Sequence, residues 1–292
     1  MSPQFELNAD IRRMTSMPFV LHWRSQQVPN APGAIEPLMN GYEANADEAV
    51  ADATVANVRN LPEAVVDSTS NEVPVAQDEA ISPIFREGGI LHGIMVLRGA
   101  TGRKTYRLDP NVPKKPSKIH GHNNIAVGTW FANRLVALQR GAHGSSMAGI
   151  CGNVGAGAYS IVVSDNYADL DEDQGDVLFY SGSNSHSNLD PTRPAPSTAN
   201  TKALKASLNT RRPVRVLRSG KARSGNHWAP ECGLRYDGLY RIVALRERVN
   251  SKGGLYEQFV LHREPNQTPL ETLRRTSPTA QEKRDLAEFQ RG

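Results

Sequence analysis

Cysteine is nearly absent. Cys151 and Cys232 are the two in 292 residues, far apart and outside any C-x-x-C pair. This excludes a thiolate zinc site and a disulfide framework, and two thiols in a reducing compartment are expected. Long apolar runs are also missing. No stretch approaches the ~18 residues of a membrane span. The run Met17 to Trp23 is too short for a signal-peptide core and polar residues follow it. The chain therefore reads as intracellular, with no membrane partner. Aromatic residues make up 6% and apolar residues 38%, little for a chain packed throughout. One packed domain with poorly ordered flanks is the expectation.

Charge is present but unevenly spread. Residues 34–80 hold ten acids and one base, Arg59, a net −9, so the rest of a +4 chain carries +13. A basic remainder suits a polyanionic partner. Residues 1–85 are acidic and broken by prolines 29, 32, 37, 62, 74 and 83. They predict low order, with one short acidic helix over Ala44 to Val58 that could dock chromatin proteins. Residues 86–117 form a capping segment and basic linker. Its apolar run from Ile84 to Arg98 fits either a helix or a buried strand. Lys114, Lys115 and Lys118 lie among prolines and predict a loop.

From 118 to 264 the chain is β-rich. Short runs of Val, Ile, Leu and Tyr (Gly128 to Leu138, Met147 to Cys151, Ala158 to Val163, Val177 to Tyr180, Pro213 to Leu217, Leu239 to Leu245, Tyr256 to Leu261) are separated by Gly, Asn and Asp clusters. That pattern predicts a barrel or sandwich. One helix is expected over Thr198 to Asn209, with Leu204 and Leu208 on one face. Residues 265–292 read as a polar tail with a marginal terminal helix.

Several dense segments recur in order: Val127-Gly128-Thr129-Trp130, His143, Met147-Ala148-Gly149-Ile150, Gly157-Ala158-Tyr159-Ser160, Tyr180-Ser181-Gly182-Ser183, Pro213-Val214-Arg215-Val216 and Arg235-Tyr236-Asp237-Gly238-Leu239-Tyr240. Residues 118–264 thereby resemble the SRA domain (SET- and RING-associated), also called YDG after Tyr236-Asp237-Gly238, and most nearly its stand-alone fungal form. The resemblance implies an α+β, twisted β-barrel-like (PUA-like) fold with a few flanking helices and a largely disordered N-terminal region. It also implies a nuclear, non-enzymatic module that binds methylated double-stranded DNA by lifting a cytosine out of the stack, with no cofactor and no metal.

Base eversion costs a few kcal/mol, and stacking on an aromatic returns ~1–3 kcal/mol. The resemblance assigns that stacking to Tyr167 and Tyr180. A carboxylate can accept from the N4 amino group of cytosine; counting forward from Tyr167 favours Asp169, and counting back from Gly175 favours Asp171, towards which the comparison leans. Ser181, Gly182 and Ser183 leave room for a methyl group, and Gly149 allows close backbone approach. Met147 is a candidate wedge between bases. His143, Arg140, Arg212, Arg218, Lys221 and Arg223 are candidate phosphate contacts. The Asp237-Gly238 pair is expected as a tight turn within the scaffold.

Two departures from the family pattern matter. Asp165-Asn166 stands where relatives place two glycines. Residues 184–193 contain one arginine and lack the basic triplet that probes the opposite strand in animal members, which argues against strand-discriminating readout. Two other classes of function remain open. A metal-dependent nuclease could use the acidic run from Asp169 to Asp176. An interaction scaffold could work through residues 1–85.

Overall fold

The computed structural model describes residues 73–74, 82–98, 102–220 and 225–291. The expected helix over Ala44 to Val58, and Lys221 and Arg223, lie outside the described residues. Among those described, no helix is long and apolar enough to cross a membrane.

The first elements build a small antiparallel sheet in the order Val73–Pro74 (β1), Ile94–Arg98 (β2) and Lys104–Leu108 (β3). The ambiguous apolar run thus contains a strand, with Val96 opposite Tyr106. Trp130–Phe131 (β4) follows. The sequence pattern extended a strand from here to Leu138, but Asn133 ends it. Its side chain accepts from the Val136 amide at 2.9 Å and caps a helix, Arg134–Gln139 (α1). A side-chain N-cap of this kind satisfies one of the amides that an isolated helix start leaves open.

The main sheet contains Ile150–Asn153 (β5), Gly157–Val163 (β6), Glu172–Asp173 (β7), Val177–Ser181 (β8), Val214–Gly220 (β9), Gly233–Val249 (β10) and Leu255–Arg263 (β11). Its order is β5-β6-β9-β10-β11-β8-β7, with β4 paired to β10. The β6–β9 pair is parallel and the other pairs are antiparallel. The two ends of this path meet through one side chain. Tyr180 on β8 donates its hydroxyl to the carbonyl oxygens of Gly149 and Val162, at 3.3 and 3.2 Å. This hydrogen bond links β8 to the β5–β6 edge across the curled sheet.

A helix, Ala199–Thr210 (α2), covers β5 and β6. Thr198 caps it by accepting from the Thr201 amide. Leu204 is fully buried on its inner face among Ile161, Val214, Val216, Tyr240, Phe259 and Leu261. A second core packs Leu91, Phe131, Val136 and Tyr236 between α1, the small sheet and the main sheet. The polar C-terminal stretch forms Leu270–Thr276 (α3), which the pattern did not predict, and Ala280–Arg291 (α4), where a marginal terminal helix was expected. Leu286 is buried, and the Phe289 ring meets Phe85 and Tyr106 edge-on at 5.9 and 5.5 Å. Few apolar positions in α4 hid this docking from the sequence pattern, because two anchors suffice when a preformed groove receives them.

Tyr236-Asp237-Gly238 is not a turn. It lies inside β10, where the register against β9 shifts between Tyr236 and Gly238. Gly238 has φ +112, and a Cβ there would lie 2.4 Å from the Gln267 side chain. The glycine forms a β-bulge, where an extra residue bends the strand.

Candidate nucleic-acid interface

The site forms at the seam that Tyr180 closes. After β6 the chain makes a short 3-10 turn, Asp165–Tyr167, and the amides of Leu170 and Asp171 fold back to donate to the Tyr167 carbonyl at 2.9 and 2.7 Å. This tight return turns Asp171 inward. Its Oδ1 accepts from the backbone N–H of Ser181 at 2.7 Å. Its Oδ2 is enclosed and has no hydrogen-bond partner. Burial pushes the Asp171 carboxyl up to about 7, against the lowering pull of the Ser181 hydrogen bonds; Asp169 and Asp173 add to the rise. A buried acceptor without a partner costs about 1–3 kcal/mol. The arrangement leaves one carboxylate oxygen enclosed without a donor.

Asp169 points the other way. Its side chain is 49% exposed and lies 3.3 Å from Nδ1 of His186. Counting along the loop could not separate the two acids; the fold-back at Tyr167 places only Asp171 against Ser181.

Tyr180 is 5% exposed and belongs to the core beneath α2. Its phenol is raised above the ordinary range, first by burial and then by the nearby charges of Asp171 and Tyr167. Tyr167 is half-buried and stacks on His186. The two tyrosines therefore differ. One is locked through its hydroxyl, and the other is a partly open ring on a short turn. Gly149 passes so close that a Cβ would lie 2.9 Å from the Tyr180 hydroxyl. Gly182 donates to the Glu257 carbonyl, and Ser183 donates its amide to Thr201 Oγ1 at 3.0 Å. Gly182 and Ser183 line a small cleft with Ser185, Pro194, Ala195, Thr201, Tyr256 and Glu257.

Met147 is 60% exposed at the tip of the loop before β5. Arg134 donates to its carbonyl at 2.5 Å and to that of Ala148 at 3.2 Å, and the Ser145 hydroxyl accepts from both amides. The thioether therefore projects from a braced loop adjoining Gly149.

Three expected phosphate contacts do not lie at the surface of the site. His143 is fully buried between Ser160 Oγ and the Ala148 carbonyl, each 2.8 Å from a ring nitrogen, and burial pushes it down to about 4. Arg140 donates to the Gly89 carbonyl at 2.8 Å and ties α1 to the capping segment. Arg218 is fully buried. It holds Asp173 through two 2.7 Å bonds and reaches Asp237 at 2.9 Å. Arg215 is buried too and donates to the carbonyls of Ala142, Ile119, Gly121 and Ser117. The strand β9 is central and covered on both faces, so alternation does not expose every second arginine. Arg212 is exposed, but it precedes β9, whose parallel partner β6 reaches the site only at its far end. Six or so residues of strand separate them, roughly 20 Å.

Two other cations were missed. Arg246 pairs with Gln258, which pairs with Ser181, and Arg248 pairs with Tyr256. Directly opposed residues share a sheet face. Gln258 and Tyr256 both donate to the Leu170 carbonyl, so this face carries the Asp171 loop. Both arginines are exposed, and Arg246 lies over the Phe179 ring at 4.4 Å. Their i, i+2 spacing on a long strand was the available signal.

The sequence profile of the SAD/SRA domain matches residues 119–267. The chain belongs to the SAD/SRA family. It is 36% identical over 168 residues to a UHRF1-like protein of Cryptococcus neoformans, covering 52% of this chain and 48% of that protein. It is 37% identical over 165 residues to the E3 ubiquitin-protein ligase ORTHRUS 2 of Arabidopsis thaliana, covering 53% and 25%. The SRA chain thus spans about half the length, or less, of these curated relatives. Among solved structures, it is similar to the SUVH5 SRA complex with hemi-methylated CG DNA (32% identity, TM-score 0.42, covering 52% of this chain and 97% of that one). It is also similar to the modification-dependent TagI restriction endonuclease (29% identity, TM-score 0.46, covering 52% and 54%).

Proposed function

We propose that this SRA domain reads 5-methylcytosine, or a related modified cytosine, in duplex DNA by taking the base out of the helix, and that the protein works in the nucleus as a chromatin reader without catalysis of its own. The observation that carries the reading is Asp171: one oxygen held by the Ser181 amide, the other enclosed and without a partner, beside Tyr167 and Tyr180. A cytosine N4 amino group supplies the missing donor. Tyr167 stacks on the everted ring, while Tyr180 fixes the seam and lends its buried edge. Ser181, Gly182 and Ser183 accommodate the methyl group, with Gly149 approaching the backbone. Met147 fills the gap left in the duplex, and Arg246 and Arg248 meet phosphates.

The nuclease reading draws on the acidic run from Asp169 to Asp176. Within it Asp173 is committed to Arg218, whose hydrogen bonds and charge overcome burial and hold its carboxyl below the ordinary range. Acids neutralised in this way are poor metal ligands, which favours the reader. The deciding experiment compares affinity for one duplex with and without 5-methylcytosine at fixed salt, and incubates the methylated duplex with Mg²⁺. We expect tighter binding of the methylated duplex and intact DNA. Equal affinities would reject the reader, and cleavage would establish the nuclease.

A further inference from the structure

Among the described residues, His186 makes three polar or aromatic contacts, all to the segment that carries Tyr167. Its ring lies 4.7 Å from the Tyr167 ring, centroid to centroid, at 33°. Its Nδ1 is 3.3 Å from Oδ2 of Asp169, and its Nε2 is 3.2 Å from the backbone oxygen of Asn166. Both of these oxygens only accept. A neutral imidazole has one N–H, so it satisfies one oxygen and turns a lone pair towards the other. The imidazolium satisfies both and sets a cation against an aromatic face.

The arm that holds His186 is fixed. Ser185 is 3% exposed and donates to the Gly182 carbonyl at 2.6 Å. Asn250 donates to the Ser185 carbonyl at 2.7 Å, and the Ser187 amide and hydroxyl donate to Asn184. The segment it contacts is on the surface, with Asn166, Ala168 and Asp169 exposed.

We propose that His186, as an imidazolium, is a positioning residue that clamps Tyr167 in the orientation an everted base stacks upon. The inference rests on the reader assignment above and adds a charge-dependent part to it. Holding the ring in place beforehand removes an ordering cost from the binding step. The clamp needs both ring N–H groups, which only the protonated imidazole carries. The charged groups on the elements around His186 include Asp165, Asp169, Asp171 and Glu172 on the Tyr167 segment, Asp190 and Arg193 on its own loop, Arg246, Glu247, Arg248, Lys252 and Glu257 on the β10–β11 hairpin, and Lys205, which pairs with Glu257. Asp171 titrates too. The informative quantity is therefore the methyl preference of wild type divided by that of His186→Gln, in which the Asp171 contribution cancels.

The test uses the full chain, with wild type, His186→Gln, His186→Arg, His186→Ala and Asp171→Ala bound to methylated and unmethylated duplex at about pH 6 and pH 8, at constant ionic strength. We expect a ratio of roughly five at the lower pH, falling towards one at the higher. His186→Arg, which keeps both donors and the cation, should hold its preference at both. Equal preference in wild type and His186→Gln at the lower pH would overturn the clamp and leave the reader intact. Tighter binding of methylated duplex by His186→Ala would also overturn it, because the imidazole would then occupy the place of the base. If wild type and Asp171→Ala alike show no methyl preference, the reader assignment falls and the clamp with it.

Discussion

Two carboxylates, Asp237 inside a buried ion-pair network and Asp171 two residues from its member Asp173, have opposite surroundings. Asp237, at the centre of the YDG segment, is fully buried and saturated. Arg235 binds both of its oxygens and Arg218 adds a third bond. Arg218 continues to Asp173, the Gly175 carbonyl and the Tyr240 hydroxyl, and Arg235 to the Trp228 carbonyl. Asp171 has a single N–H for one oxygen and nothing for the other. The first arrangement joins β9, β10 and the β7 loop and has no capacity left for a ligand. The second keeps an acceptor in reserve at a cost in stability. Asp237, with its hydrogen bonds met, belongs to the scaffold, and Asp171 is the group the proposed reading gives to the base.

The comparison breaks most violently at Asp237. Replacing Asp237 with Ala leaves the buried Arg235 without a carboxylate and takes from Arg218 one of its two, and losing one partner of a buried pair costs about 3–5 kcal/mol. The expected outcome is a large fall in the urea midpoint and loss of every duplex affinity. An Asp237→Ala protein with near-wild-type stability would show that the network is dispensable. Asp171→Ala should do the reverse. Methyl preference should drop by ten-fold or more, since a matched base contact contributes about 1–3 kcal/mol, while weak salt-dependent binding and the unfolding midpoint survive.

The sign of the Asp171 shift gives a third expectation. Its carboxyl moves from 3.8 when unfolded to about 7 when folded. Between those values the folded chain holds a proton that the unfolded chain releases, so this group's contribution falls as pH rises and is fully unfavourable above about 7. Asp171→Asn removes that penalty. Its melting temperature should exceed that of wild type by a few degrees at pH 8, and the gap should close towards pH 4. A gap that widens on acidification would contradict the assignment of the orphaned oxygen. Smaller effects sharpen the picture. Met147→Ala should weaken methylated-duplex binding a few-fold with no change in melting, as the side chain is 60% exposed. Arg212→Ala should leave methyl preference unchanged, because its side chain sits at the far end of β9 from the seam.

Much of the scaffold was legible from local pattern. The helix capped by Thr198, the strands from Ala158 to Val163 and from Val177 to Tyr180, and the loop from Pro110 to Lys118 follow from side-chain capping, β-branched runs and prolines. The arginines of β9 were not legible. Periodicity reports burial on one face, and this strand is enclosed on both. His143 misled for a related reason: a histidine beside Gly and Ser looks like a loop contact until Ser160, on a neighbouring strand, occupies its ring nitrogen.

By itself the order of motifs determined the family, the barrel-like sheet and the presence of two tyrosines with acids between them, because these depend on residue types at short separations. Tertiary structure alone decided which acid turns inward, which arginines are spent inside, and that Phe289 and Leu286 anchor the C-terminal helix. Each of those outcomes depends on groups from separate elements that meet only in the folded chain: Asp171 with Ser181, Arg218 with Asp237, and Phe289 with Phe85 and Tyr106.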